Sequence, residues 1–225
     1  MSKNTMIDAV QVEPQKTANA VVIWLHGLGA DGHDFEPVIP HLNLPSTLNI
    51  RFIFPHAPVQ PVTCNNGMAM RSWYDILELS ELRKINEQDL INATASIDQV
   101  IEHQMQSGIP SEKILLVGFS QGGAVALHTG LRFSSKLAGI LALSTYMPRA
   151  DAIPTEAAEA NRNITIHMAH GDHDDMVTPS ASKQAFADLK DNQYNVTWDN
   201  YSMGHELCLQ EIRDIGRWMT NLLTD

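Results

Sequence analysis

The chain has 225 residues, 44% hydrophobic and 18% charged, with a formal net charge of −11. That length suits one α/β domain, 1–225, with a core large enough to need no staples. The acid excess argues against nucleic acid and anionic membrane surfaces as main partners, since both need a basic footprint to displace counterions. Cys64 and Cys208 lie far apart, in neither a disulfide framework nor a zinc pattern, and read as two free thiols in a reducing compartment.

Residues 1–11 carry one lysine and lack a continuous apolar core of signal-peptide length, and no later stretch approaches a membrane span. A cytoplasmic protein with no stable membrane insertion is expected. Along the chain, Ala9–Val12 reads as an added edge strand. Near-continuous apolar runs follow at 21–25, 50–54, 114–117, 137–143 and 164–168, the pattern of strands buried on both faces of a parallel sheet. Helical spacing lies between them: Leu90, Ala93, Ile97, Val100 and Ile101; Ala124, Leu127, His128 and Leu131; Phe186, Ala187 and Leu189. A last strand at 195–198 precedes a terminal helix with the apolar face Leu207, Ile212, Ile215, Trp218, Met219 and Leu222. Strands alternating with helices predict a mostly parallel, doubly wound sheet flanked by helices, whose ligands bind beyond the carboxyl ends of its strands.

The chemistry-bearing motifs fall at those ends. Gly118-Phe119-Ser120-Gln121-Gly122 leaves a strand and opens a helix, the context of a nucleophile elbow, and Gly123 adds a further small residue for close packing. His170-Gly171-Asp172-His173-Asp174-Asp175 follows the run at 164–168, and Ser202-Met203-Gly204-His205-Glu206 follows the last strand. A serine hydroxyl becomes a useful nucleophile when an imidazole takes its proton, and a buried carboxylate fixes that imidazole. Ser120 is the candidate nucleophile, His205 the base and then acid, and Asp174 the orienter, favoured by the form His-Gly-x-x-Asp. Asp172 and Asp175 are fallbacks. The same loop also contains enough imidazoles and carboxylates to suggest a metal, but consecutive loop residues point in different directions and no second ligand motif appears. No metal is expected.

An acyl-transfer site also needs donors for an oxyanion. The N–H of Gln121, next after the nucleophile at a helix start, is one. The glycine-rich loop His26-Gly27-Leu28-Gly29-Ala30-Asp31-Gly32, after the run at 21–25, supplies the other, assigned to the N–H of Leu28. It lacks both the P-loop lysine and G-x-G-x-x-G, so a nucleotide is not expected there. His26 is read as holding loop geometry; His33, His41, His56, His103, His128 and His167 have no motif and read as surface or satisfied core residues.

Taken with Arg71-Ser72-Trp73-Tyr74-Asp75-Ile76, these motifs in register make the chain resemble the acyl-protein thioesterase/carboxylesterase family of α/β-hydrolases, from about Ala20 to near the C-terminus. The resemblance implies the α/β-hydrolase fold and hydrolysis of carboxylic esters or thioesters through an acyl-enzyme, without metal or organic cofactor. It also implies an acyl-binding groove around Met68, Met70, Trp73 and Leu77, where flexible methionines and an aromatic suit a linear chain. The same apolar segment would equally serve a homodimer contact. One departure is the acid loop, where Asp175 follows Asp174 and many relatives carry an apolar residue or proline. The family includes short-chain carboxylesterases, lysophospholipases and acyl-protein thioesterases (depalmitoylases), and the acidic composition with no amphipathic membrane segment favours short-to-medium acyl chains. A non-catalytic scaffold binding an acyl ligand is the alternative of a different class, and it has no need of Ser120, Asp174 and His205 together.

Overall fold

Residues 6–80 and 83–224 are described in a computed structural model; of the amino-terminal segment 1–11, residues 1–5 lie outside the described residues. In chain order the strands and helices are β1 (Ala9–Val12), β2 (Ala20–Leu25), β3 (Ile50–Pro55), β4 (Val59–Val62), β5 (Met68–Arg71), β6 (Ile76–Glu78), β7 (Lys84–Ile85) and α1 (Glu87–Gln106). There follow β8 (Ile114–Phe119), α2 (Gln121–Arg132), β9 (Gly139–Leu143), the single turn α3 (Ile153–Glu156), β10 (Thr165–Gly171), α4 (Pro179–Asp191), β11 (Asn195–Tyr201) and α5 (Leu209–Thr224).

Among the described residues the main sheet has seven strands in the order β1-β3-β2-β8-β9-β10-β11. β1 pairs antiparallel with β3, as an edge strand, and every other pairing is parallel. The apolar runs explain this arrangement. In β2 all six residues are buried; Val21, Ile23 and Leu25 join one core, Val22 and Trp24 the other. The first core is closed by α1, α2 and α4 through Leu90, Ile97, Leu127, Ala185 and Leu189. The second is closed by α5 through Ile215, Met219 and Leu223. Leu207, expected on that helix, precedes it and packs partly buried against the same core. A side chain facing a helix layer on each side is what a strand buried on both faces requires.

The chain runs from β2 outward to β3, then returns to the other side of β2 as β8. The order therefore reverses between β2 and β8, and a crevice opens beyond their carboxyl ends. The stretch between β3 and α1 leaves the main sheet and forms two small antiparallel pairs, β4 with β5 and β6 with β7. These pairs stand beside the crevice.

Candidate active site

Ser120 occupies the corner between β8 and α2 at φ 54° and ψ −121°, a conformation a non-glycine residue adopts only when its surroundings enforce it. Its N–H donates to the carbonyl of Leu143 at 2.8 Å, and the Thr145 hydroxyl donates to its carbonyl at 2.6 Å. The flanking glycines answer to close approach. A Cβ on Gly118 would lie 2.2 Å from the Gly122 carbonyl oxygen, and one on Gly122 would lie 2.4 Å from that of Leu25. The elbow is thus pressed against the end of β2.

The acid loop and the His205 loop are held together in the same manner. Asp172 N–H donates to the Tyr201 carbonyl at 2.8 Å, and His173 N–H to that of Met203 at 3.0 Å. A Cβ on Gly171 would sit 2.4 Å from the carbonyl oxygens of both Met203 and Gly204. This contact brings His205 over Asp174: Nδ1 of His205 donates to Oδ2 of Asp174 at 2.7 Å, while Nε2 accepts from the Ser120 hydroxyl at 2.9 Å. The imidazole also packs on Phe119, with ring centroids 4.7 Å apart.

Asp174 is buried, and its other oxygen accepts the N–H groups of Met176 and Val177 at 2.9 and 2.8 Å. Burial pushes its carboxyl up, but the His205 hydrogen bond and the two backbone donors outweigh it and hold the group below its ordinary pKa. Asp172, His173 and Asp175 are exposed, and Asp172 accepts from the Asn200 amide at 2.9 Å instead. Of the three carboxylates the sequence offers in this loop, Asp174 alone meets His205. Among the described residues no group of three or more His, Cys, Asp and Glu side chains is arranged to hold a metal ion.

Gln121 and Leu28 both line a cavity of about 310 Å³ that opens at Ser120 and His205. As the first residue of α2, Gln121 has an N–H without an intrahelical acceptor. In the loop after β2, the N–H groups of Gly29 and Ala30 are taken by the carbonyls of Arg71 and Gly27, whereas Leu28, in the cavity lining, gives its N–H to no such backbone acceptor among the described residues. The Gln121 side chain has a separate structural part. Buried, it accepts from Trp73 N–H at 2.9 Å and donates to the Tyr74 carbonyl at 2.8 Å, tying the segment after β5 to the elbow.

These motifs lie within a chain whose residues 7–223 match the phospholipase/carboxylesterase family model. The chain belongs to that family. It is 34% identical to acyl-protein thioesterase 1 of Cryptococcus neoformans across 97% of this chain and 99% of the relative, and 38% identical to acyl-protein thioesterase 1 of Neurospora crassa across 91% and 87%. The crystal structure of Arabidopsis thaliana SOBER1 superimposes with a TM-score of 0.87 at 32% identity, covering 92% of this chain and all of that one. The fold is that of the α/β-hydrolases, and the phospholipase/carboxylesterase chain described here is a serine hydrolase of esters or thioesters.

The expected acyl-groove residues are placed unevenly. Met70 lines the cavity, with its sulfur 3.3 Å from the Asn65 amide nitrogen. Met68, two residues earlier on the same face of β5, is 65% exposed and stands away from the lining. Trp73 is buried behind the cavity lining, its indole N–H donating to the His26 carbonyl at 2.9 Å. The strand alternation of β6 turns Ile76 inward to the cavity and Leu77 outward. Leu79, Tyr146, Met176 and Val177, which no motif marked, complete this wall.

Proposed function

We propose that Ser120 is the nucleophile, His205 the general base and then acid, and Asp174 the residue that fixes the imidazole, in an esterase that forms an acyl-enzyme on Ser120. The observation that carries this reading is the hydrogen-bonded chain from Ser120 through His205 to Asp174, opening onto an apolar cavity at the point where the strand order reverses. As Ser120 attacks the acyl carbonyl, its proton passes to Nε2 of His205, and the charge on the imidazolium is balanced by buried Asp174. The developing oxyanion takes the N–H groups of Leu28 and Gln121. The imidazolium returns its proton to the departing alcohol or thiol, and a water activated by the same nitrogen then releases the acid.

The substrate we assign is a small-molecule ester or thioester of a short-to-medium acyl chain, met in the cytoplasm. The cavity of about 310 Å³ lies at the small end of the range of about 300–1,000 Å³ usual for small-molecule pockets, which suits a short-to-medium acyl chain. A second reading, removal of long acyl chains from proteins, is favoured by the relatives named acyl-protein thioesterase and by Leu79 and Met176, exposed apolar residues in the cavity lining. The same residues would serve a second copy of the chain. Among the described residues no helix is long and apolar enough to cross a membrane.

The test is hydrolysis of p-nitrophenyl esters from acetate to palmitate, with chelator present, by wild type and Ser120→Ala. Ser120-dependent turnover with an optimum at a short-to-medium ester, well before palmitate, is expected from the small cavity. An optimum at palmitate moves the assignment to the second reading, and turnover by Ser120→Ala equal to wild type removes Ser120 from the mechanism.

A further inference from the structure

His26 and His56 directly follow β2 and β3, which lie side by side. Ile23 pairs with Ile53 in parallel register, so the two histidines stand the same three residues beyond that pair. Their rings reach across in opposite directions. Nε2 of His26 accepts the N–H of Ala57 at 3.0 Å, and Nδ1 of His56 accepts the N–H of Gly32 at 3.0 Å. Each imidazole therefore takes a backbone donor from the loop that carries the other.

We propose that His26 and His56 are reciprocal positioning residues that hold the loop 26–32, and with it the Leu28 N–H, at the place where an oxyanion forms. This rests on the reading of Leu28 as an oxyanion donor. The loop is tethered at three points: His26 takes Ala57 at its head, Gly29 N–H donates to the Arg71 carbonyl at 2.8 Å in its middle, and Gly32 reaches His56 at its end. Gly32 is pressed so closely onto β3 that a Cβ there would lie 2.3 Å from the Phe54 carbonyl oxygen.

Both anchors require a lone pair, hence a neutral ring of defined tautomer. In His26 the tautomer is set locally, because Nδ1–H donates to the Gly27 carbonyl at 2.7 Å and leaves Nε2 as the acceptor. Burial keeps this ring below its ordinary pKa despite Asp34 and Asp31 nearby. The Trp73 indole lies 5.2 Å from the His26 ring and holds its carbonyl, so the ring has little freedom to turn. His56 is half-buried, with the His33 ring 5.7 Å away.

An amide oxygen can replace an imidazole acceptor without titrating: Asn presents Oδ1 near the position of Nδ1, and Gln presents Oε1 near that of Nε2. The experiment compares His56→Leu and His56→Ala with His56→Asn, and His26→Leu with His26→Gln, by ester kinetics and by inhibition with an alkyl boronic acid that adds to Ser120. Loss of the acceptor is expected to lower kcat about 10–100-fold with KM changed less than about twofold, since a displaced donor weakens the transition state and leaves substrate binding alone. Boronic acid affinity should fall in parallel. The Asn and Gln variants should stay within about threefold of wild type. Wild-type kcat in His56→Leu and His56→Ala overturns the proposal, as does a loss that His56→Asn shares although all variants melt with the wild type. A wild-type protein without Ser120-dependent esterase activity overturns the proposed function itself, an outcome separate from a working enzyme indifferent to its imidazoles.

Discussion

Asp174 and Glu211 lie on either side of His205 in the sequence and are both buried, yet their environments push them in opposite directions. Asp174, in the loop after β10, receives three hydrogen bonds, from Met176 N–H, Val177 N–H and His205 Nδ1–H. Glu211, in the first turn of α5, is 0% exposed, and neither of its side-chain oxygens has a hydrogen-bond partner. Burial disfavours the charge on each. At Asp174 the donors overcome it and the pKa falls; at Glu211 burial dominates, the backbone at Cys208 offsets it only in part, and the carboxyl is pushed up to about 8. What separates an ionised group poised beside an imidazole from a proton-bearing one packed in a core is the supply of donors, which the loop geometry of 170–177 provides and the helix start does not.

The largest expected effect comes from removing the charge where the donors converge. Asp174→Asn keeps the size but presents an amide that can donate toward His205 and favour the wrong tautomer, and kcat should fall by about 10⁴-fold. Steady-state kinetics on the optimal ester measures it, and a loss below tenfold would mean that another group orients His205. Stability has its own sign. Because the folded pKa of Asp174 lies below its ordinary value, its contribution is present above the ordinary carboxylate range and is lost as pH falls through the folded pKa.

Glu211 has the reverse linkage. With its folded pKa raised to about 8, folding must hold a proton that the unfolded chain releases near the ordinary value of 4.5. Its favourable contribution is complete below that value and is lost progressively as pH rises toward 8. Glu211→Gln cannot ionise, so between about pH 5 and 8 its melting temperature should rise relative to wild type by roughly 3–5 °C per pH unit, from about 1.4 kcal/mol per unit in a chain of this size. Thermal melts of both proteins across that range test it. Parallel curves would mean that the folded protein already ionises Glu211.

The contrast also explains what was legible in the sequence. Near-continuous apolar runs announce strands buried on both faces, and glycines at the elbow, at Gly171 and at Gly204 announce turns where backbones meet, so the meeting of Ser120, Asp174 and His205 could be anticipated from motif and order. The segment between β3 and α1 was less readable. Its strands are three or four residues or shorter, and in so short a strand the choice between Ile76 and Leu77, or the depth of Met68, is decided by docking onto the sheet rather than by local pattern. Trp73 and Gln121 meet across 48 positions in sequence, which no periodicity reports. His56 carried only the signal of its place at a strand end.

The smallest expected effect falls on the two acidic neighbours that sequence alone left as substitutes for Asp174. Asp175 is exposed, and Asp172 is exposed with both oxygens accepting from the Asn200 amide at 2.9 Å. Charges in water are screened within about 10 Å at moderate salt and interact weakly even when near. Asp172→Asn and Asp175→Asn should therefore leave kcat within about twofold of wild type, with any shift shrinking as salt is raised. A deficit in Asp175→Asn approaching that of Asp174→Asn would place the working carboxylate one residue on. A small, salt-sensitive one would leave burial with donors, and not proximity in sequence, as the property that selects among three aspartates.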